Sequence, residues 1–224
     1  MKQLFYLFTL LLGLLSCGEK PHNSTVSQKE NTVKLRKLKK LFVVGDFDGD
    51  GKQDTIFQHN FSRLKNTEIE YAADPFQNEF DTVIYWFYDQ NADLFLTLNK
   101  HNYDTLHLST GTAQGLYCLI NIGDNNADGK DEIAFVVDYL DFSMVSRCLI
   151  YTLCQGKWVR LKEFSIYEEA FSFTNDRDTI FNTIKDFLEK KNGKWVYKDY
   201  YSELDYDNEE DVGKMFPLKL GRCE

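Results

Sequence analysis

Two stretches of this chain repeat one another. Residues 41–57 (LFVVGDFDGDGKQDTIF) and 119–135 (LINIGDNNADGKDEIAF) each run from an apolar segment through Gly-Asp into an acidic loop containing Asp-Gly-Lys, and out into a second apolar segment. A strand–loop–strand unit of that size cannot bury its own faces, so its repetition predicts stacked or radially arranged antiparallel sheets. A weaker echo pairs Gly156-Lys157-Trp158-Val159 with Gly193-Lys194-Trp195-Val196. Short β-type runs bounded by Asn, Asp and Gly recur at 41–44, 55–58, 82–88, 94–98, 105–108, 116–121, 133–137 and 148–153. Aromatic residues make up 15% of the chain and proline only 3 residues, which suits strands and predicts an all-β class. Two hairpins are predicted, 82–88 with 94–98, and 148–153 with 158–161 across Gln155-Gly156. One helix is predicted over 178–191, where Ile180, Ile184, Phe187 and Leu188 fall at helical spacing ahead of Asn192-Gly193.

The acids of the repeat stand two apart: Asp46, Asp48, Asp50 and Asp54 in the first loop, Asp124, Asn126, Asp128 and Glu132 in the second. A chain wrapping a hard cation turns alternate residues inward, so positions one, three, five and nine supply side chains and position seven a backbone carbonyl. Lys52 and Lys130 stand at position seven, and Gly51 and Gly129 at position six permit a sharp turn. Neither loop is an EF-hand, because position twelve is Phe57 or Phe135 where that motif needs a bidentate glutamate. Charge counting gives the first loop four carboxylates and the second three plus an amide, so the first is predicted to bind more tightly.

The nine-residue pattern, with the last acid leading straight into a strand, resembles the calcium loops of FG-GAP/VCBS repeats, the family of integrin α-subunit propellers. The resemblance implies a β-propeller-like fold with calcium-binding inter-strand loops. It assigns Asp46, Asp48, Asp50, Lys52 and Asp54 to one structural calcium ion, and Asp124, Asn126, Asp128, Lys130 and Glu132 to another. The chain is too short for seven blades of integrin size, which leaves a compact propeller or an open stack of a few sheets.

The N-terminus is predicted to be a signal peptide over residues 1–16: Lys2 is followed by an apolar stretch over 4–15, too short to span a bilayer as a helix. Leu14-Leu15-Ser16-Cys17 resembles the bacterial lipobox, which implies that Cys17 is lipidated and anchors the chain in a membrane of the bacterial envelope. Ordinary secretion is the alternative. Residues 17–33 read as a polar tether and 34–224 as the folded domain. Five cations, Lys34, Arg36, Lys37, Lys39 and Lys40, open that domain and are expected on a solvated first strand, with anionic headgroups the other possible partner.

Net charge is −9, which disfavours nucleic acid as a partner. Beyond Cys17, four cysteines (Cys118, Cys148, Cys154, Cys223) allow three pairings into two disulfides, or buried thiols. There is no GxSxG elbow, Walker loop, GxGxxG or HExxH. Trp86, Trp158, Trp195 and the tyrosines near them are expected mainly in the core, and the acids from Asp199 to Asp211 in a solvated segment. The expectation is a non-enzymatic module that binds a protein or a glycan. An inhibitor or immunity protein acting on a cell-wall hydrolase, resembling periplasmic lysozyme inhibitors in size and architecture, and an unrecognised hydrolase are the alternatives.

Overall fold

The computed structural model describes residues 32–171, 179–201 and 213–223. The expected signal peptide, Cys17, the tether up to Asn31 and the acids from Glu203 to Asp211 lie outside the described residues. Among the described residues the secondary structure is mostly β, arranged in several antiparallel sheets, none closed into a barrel.

The first sheet runs β2 (Phe42–Gly45), β3 (Asp54–Ser62), β6 (Ala92–Leu98), β7 (Leu106–Thr110), with β4 (Thr67–Glu68) paired to the end of β3. The second runs β8 (Ala113–Gly123), β9 (Glu132–Tyr139), β10 (Val145–Cys154), β11 (Lys157–Tyr167). The repeat is thus larger than the motif that revealed it: each acidic loop opens a sheet of four neighbouring strands in the same order. The registers also correspond, with Gly45 opposite Asp54 and Gly123 opposite Glu132. A short ribbon of β1 (Leu35–Lys37) with β5 (Tyr71–Ala73), and a third sheet of β12 (Leu188–Lys191), β13 (Lys194–Tyr197) and β14 (Phe216–Pro217), complete the strands.

Alternation along β9 explains how these sheets stack. Ile133, Phe135 and Val137 pack on one side with Ile56, Leu94 and Leu96 of the first sheet. Ala134 and Val136 face the other way, into a cluster with Ile150, Phe164, Leu188 and Trp195. Covered on both sides, β9 is a near-continuous apolar strand, as its sequence IAFVV requires. The β8–β11 sheet is therefore the middle layer.

Two expected elements are corrected. Residues 82–88 are not a strand but most of helix α1 (Phe80–Asp89), so the hairpin expected with 94–98 does not form. A strand would bury Val83, Tyr85 and Phe87 on one face. The helix instead buries Val83 and Phe87, one turn apart, against Ala72, Ala73, Ala92 and Leu140, and leaves Tyr85 65% exposed. Nor do the described residues 179–191 of the helix expected over 178–191 form one. Among those described, Ile184 and Leu188 close a tight turn with reciprocal backbone bonds of 2.9 and 2.8 Å, Asp186 takes a positive φ of 64°, and β12 begins at Leu188. Asn192-Gly193, expected to stop a helix, is the two-residue turn of the β12–β13 hairpin, with φ values of 52° and 78°. Gln155-Gly156 makes the equivalent turn between β10 and β11, at 48° and 82°. The weak sequence echo is this pair of hairpin turns.

Candidate functional site

Each acidic loop is shaped by its own side chains. Asp46 accepts bonds from the Gly49 and Gly51 amides, both at 2.9 Å, and Asp124 accepts from Asp128 and Gly129 at 3.2 and 3.0 Å. Asp48 accepts from Asp50 N–H and Asn126 from Asp128 N–H; Asp50 then accepts from Lys52 N–H and Asp128 from Lys130 N–H. The turn demands left-handed backbone at positions four and six. The second is glycine in both loops (Gly51 at φ 79°, Gly129 at 86°), while position four is Gly49 in one and Ala127, at 58°, in the other.

This wrapping gathers two groups of oxygens that can hold a metal ion. In the first loop one oxygen each from Asp46, Asp48 and Asp50 lie within 4.8 Å of one another; in the second the group is Asp124, Asp128 and Glu132. All donors are oxygen, the set that suits a hard cation. Asn126, expected as a ligand, donates its amide N–H to Asp128 Oδ2 at 3.2 Å and to the Gly221 carbonyl at 3.0 Å. Of the two position-seven side chains, Lys52 points to solvent, 81% exposed, and Lys130 donates to the Leu153 carbonyl at 3.0 Å.

The ninth acids differ most. Both are fully buried as the first residue of the outgoing strand. Glu132 accepts the Asn125 amide on Oε2 at 2.7 Å, but Oε1 has no hydrogen-bond partner. Burial pushes its carboxyl up to about 7, and the nearby Asp128 and Asp124 add to the effect against the Asn125 bond. Asp54 Oδ2 likewise has no hydrogen-bond partner, but Oδ1 faces a residue that the loop motif does not contain. Lys100 places its ammonium 2.8 Å from Asp54 Oδ1, 2.5 Å from Asp48 Oδ2 and 3.1 Å from Asp50 Oδ2. Tyr103 donates its hydroxyl to Asp48 Oδ2 at 2.7 Å. Partial burial works against ionisation of Asp48, but the Lys100 and Tyr103 bonds outweigh it and hold the carboxyl below its ordinary range. Lys100 bonding also lowers Asp50.

The loops lie side by side. Asp131 donates its amide to the Asp46 carbonyl at 2.8 Å, and its carboxylate accepts the Asp46 amide at 3.1 Å. Asn121 donates both to Val44 O and to Asp131 Oδ2. The C-terminal segment covers the second loop: Gly221 accepts from Asn126, Arg222 Nε donates to the Asn126 carbonyl at 2.9 Å, and Cys223 is disulfide-bonded to Cys154. Cys118 and Cys148 are free and buried, so the cysteines divide between the two readings the sequence left open. Asp131 is visible in the sequence as an extra acid at position eight; Lys100, Tyr103, Asn121 and Arg222 carry no signal there.

A second feature lies on the outer face of the first sheet. Phe42 (62% exposed) and Phe57 form a tilted pair, with His59 stacked on Phe95 beside them. His59 Nδ1 is 2.8 Å from Glu68 Oε1 and its Nε2 is 2.8 Å from Thr97 Oγ1. Lys40 donates to Glu68 and Glu70, and a groove of about 320 Å³ runs between Lys40, Phe42, Phe57 and His59. Of the other N-terminal cations, Arg36 bonds Gln114 and Lys39 bonds the Thr179 carbonyl, so three of the five are engaged within the domain. The three tryptophans are buried or half-buried, whereas Tyr85, Tyr88 and Tyr201 are exposed.

Compared with models of known families, with characterised proteins and with solved structures, the chain has no match. Among the described residues, no helix is long and apolar enough to cross a membrane.

Proposed function

We propose that this chain is a calcium-binding β module of FG-GAP/VCBS type, anchored to the bacterial envelope through Cys17, whose work is to hold a protein or a glycan. The observation that carries the calcium reading is Glu132. It is a fully buried carboxylate, gathered with Asp124 and Asp128, and one of its oxygens lacks a partner. An unpaired buried carboxylate is costly, and a divalent cation offsets that cost while linking the ends of β8 and β9. Two sheets of the same strand order, each opened by an acidic loop, support the propeller-like reading. The exposed Phe42 and Phe57, edged by Lys40, His59 and Glu68, supply the binding face: an apolar platform with polar groups at its rim.

The test is thermal unfolding of the full chain in calcium, in magnesium and in chelator. At a calcium concentration a hundred times Kd, binding to the folded state alone stabilises by about 2.7 kcal/mol. For a domain of this size that is a rise in Tm of about 5–10 °C. Glu132→Gln should abolish most of the rise. A wild-type Tm indifferent to calcium rejects the reading.

A second reading, hydrolysis, is favoured by one observation: Thr97, His59 and Glu68 are connected as hydroxyl, imidazole and carboxylate. Against it, Thr97 stands within the β3–β6 ladder and not on a turn that aims free N–H groups at an oxyanion. Ester turnover by the wild type that disappears in His59→Ala would establish this reading, and equal rates in both would dismiss it.

A further inference from the structure

The first loop has the greater number of carboxylates, yet three of them are already facing a cation. The Lys100 ammonium contacts Asp48, Asp50 and Asp54 at 2.5, 3.1 and 2.8 Å. The metal-capable group of that loop correspondingly lacks its ninth position, whereas the second loop's group includes it.

Sheet register explains why the two repeats differ. In the first sheet Ile56 pairs with Leu98, and the Asn99 amide bonds the Thr55 carbonyl, so continuing the antiparallel register sets residue 100 opposite residue 54. In the second sheet Ile133 pairs with Tyr151, so the same step sets Thr152 opposite Glu132. One repeat therefore presents a lysine to its ninth acid and the other a neutral threonine. Thr152 is fully buried, and its hydroxyl, like Glu132 Oε1, has no hydrogen-bond partner; in the first loop Asp54 Oδ2 also has none, but Asp54 Oδ1 has the Lys100 ammonium beside it.

We propose that Lys100 is a built-in cation that fills the first loop in place of a metal, so that the native chain binds one calcium ion, at the second loop. The proposal rests on the calcium reading of the second loop and reverses the ranking that charge counting gives. An ammonium donates to several carboxylates at once and belongs to the chain, so no free ion need be captured. Calcium enters the first loop only when Lys100 has swung out. If the lysine is in place about 99% of the time, the apparent affinity there is weakened ~100-fold.

Titration of the full chain with calcium chloride, followed by calorimetry and by amide NMR, tests this. The Gly51 and Gly129 amides make matching bonds to Asp46 and Asp124 and report on the two loops separately. In the wild type one ion should bind, moving Gly129 and leaving Gly51 in place, and Glu132→Gln should remove it. Lys100→Thr, which copies the second repeat, should bind two ions and move both amides, with ~100-fold tighter binding at the first loop. The wild-type spectrum decides the matter even if that variant does not fold. Two ions in the wild type, or early movement of Gly51, overturns the proposal. If the wild type binds no ion and Lys100→Thr binds one at Gly51, the lysine's role stands and the calcium reading of the second loop fails. If neither protein binds an ion, both fail.

Discussion

Cutting the Cys154–Cys223 bridge should destabilise the domain by an amount that can be worked from the chain. The bridge closes a sequence separation of 69 residues. On chain-entropy accounting, a loop that long restricts the unfolded state by about 4 kcal/mol at 25 °C. A domain of 150–250 residues loses about 2–4 °C of Tm per kcal/mol, so Cys223→Ser should melt roughly 10 °C below the wild type. Differential scanning calorimetry of the full chain measures it, with the wild type in a strong thiol reductant as a second route to the same state. The bridge also holds Gly221 and Arg222 against Asn126, so opening it should weaken calcium binding at the second loop as well. A Tm change of under about 3 °C in both routes would refute the entropy argument. A full change in Tm with unaltered calcium affinity would refute the coupling of the tail to the loop.

Gly45→Ala should break the junction between the loops, because a Cβ there would lie 2.3 Å from Asn121 Nδ2 and 2.5 Å from Asp131 Oδ2. Losing about two hydrogen bonds costs about 2 kcal/mol, read as a lower urea midpoint with unchanged m-value; an unchanged midpoint counts against the clamp. Asp138 is pushed up to about 6, chiefly by burial, with Glu168 adding to this and Gln114, Tyr117 and Arg36 opposing it. The folded state therefore holds an extra proton between about 4 and 6, and this contribution to stability, present at lower pH, is lost as pH rises through 6. The Tm difference between wild type and Asp138→Asn should fall across that window, and a flat difference rejects the assignment. Cys17→Ser should move the protein from the membrane to the soluble fraction, and unchanged palmitate labelling of that variant rejects the anchor.

Most strands are legible in the sequence because alternation and turn residues are local properties. The β8–β9 and β10–β11 hairpins follow directly from LINIG, IAFVV and Gln155-Gly156. The misses come where two periods coincide. TVIYWFY is apolar at nearly every position, so residues 82–88 fit a strand as well as a helix, and only packing against Ala72 and Ala92 decides for the helix. Over 178–191 the apolar spacing is helical, but Ile184, Phe187 and Leu188 gather by a tight turn, which spacing cannot distinguish from a helical face. The Trp-Val echo after Gln155-Gly156 and Asn192-Gly193 is the better guide there, since it links the second pair to a turn already read as a hairpin.

The candidate site divides along the same line between local and distant contacts. The carboxylates of each loop lie within nine residues of one another, so their spacing alone discloses how the loop wraps. What fills a loop is decided elsewhere. Charge counting treats Asp46, Asp48, Asp50 and Asp54 as open to an incoming ion, whereas Lys100 reaches the last three because β6 pairs with β3 and carries residue 100 alongside residue 54. That pairing is invisible in the loop's own sequence. Once it is known, a single substitution between repeats, Lys100 against Thr152, separates a loop whose Asp54 Oδ1 is ion-paired to an ammonium of the chain itself from one whose buried Glu132 Oε1 lacks a partner.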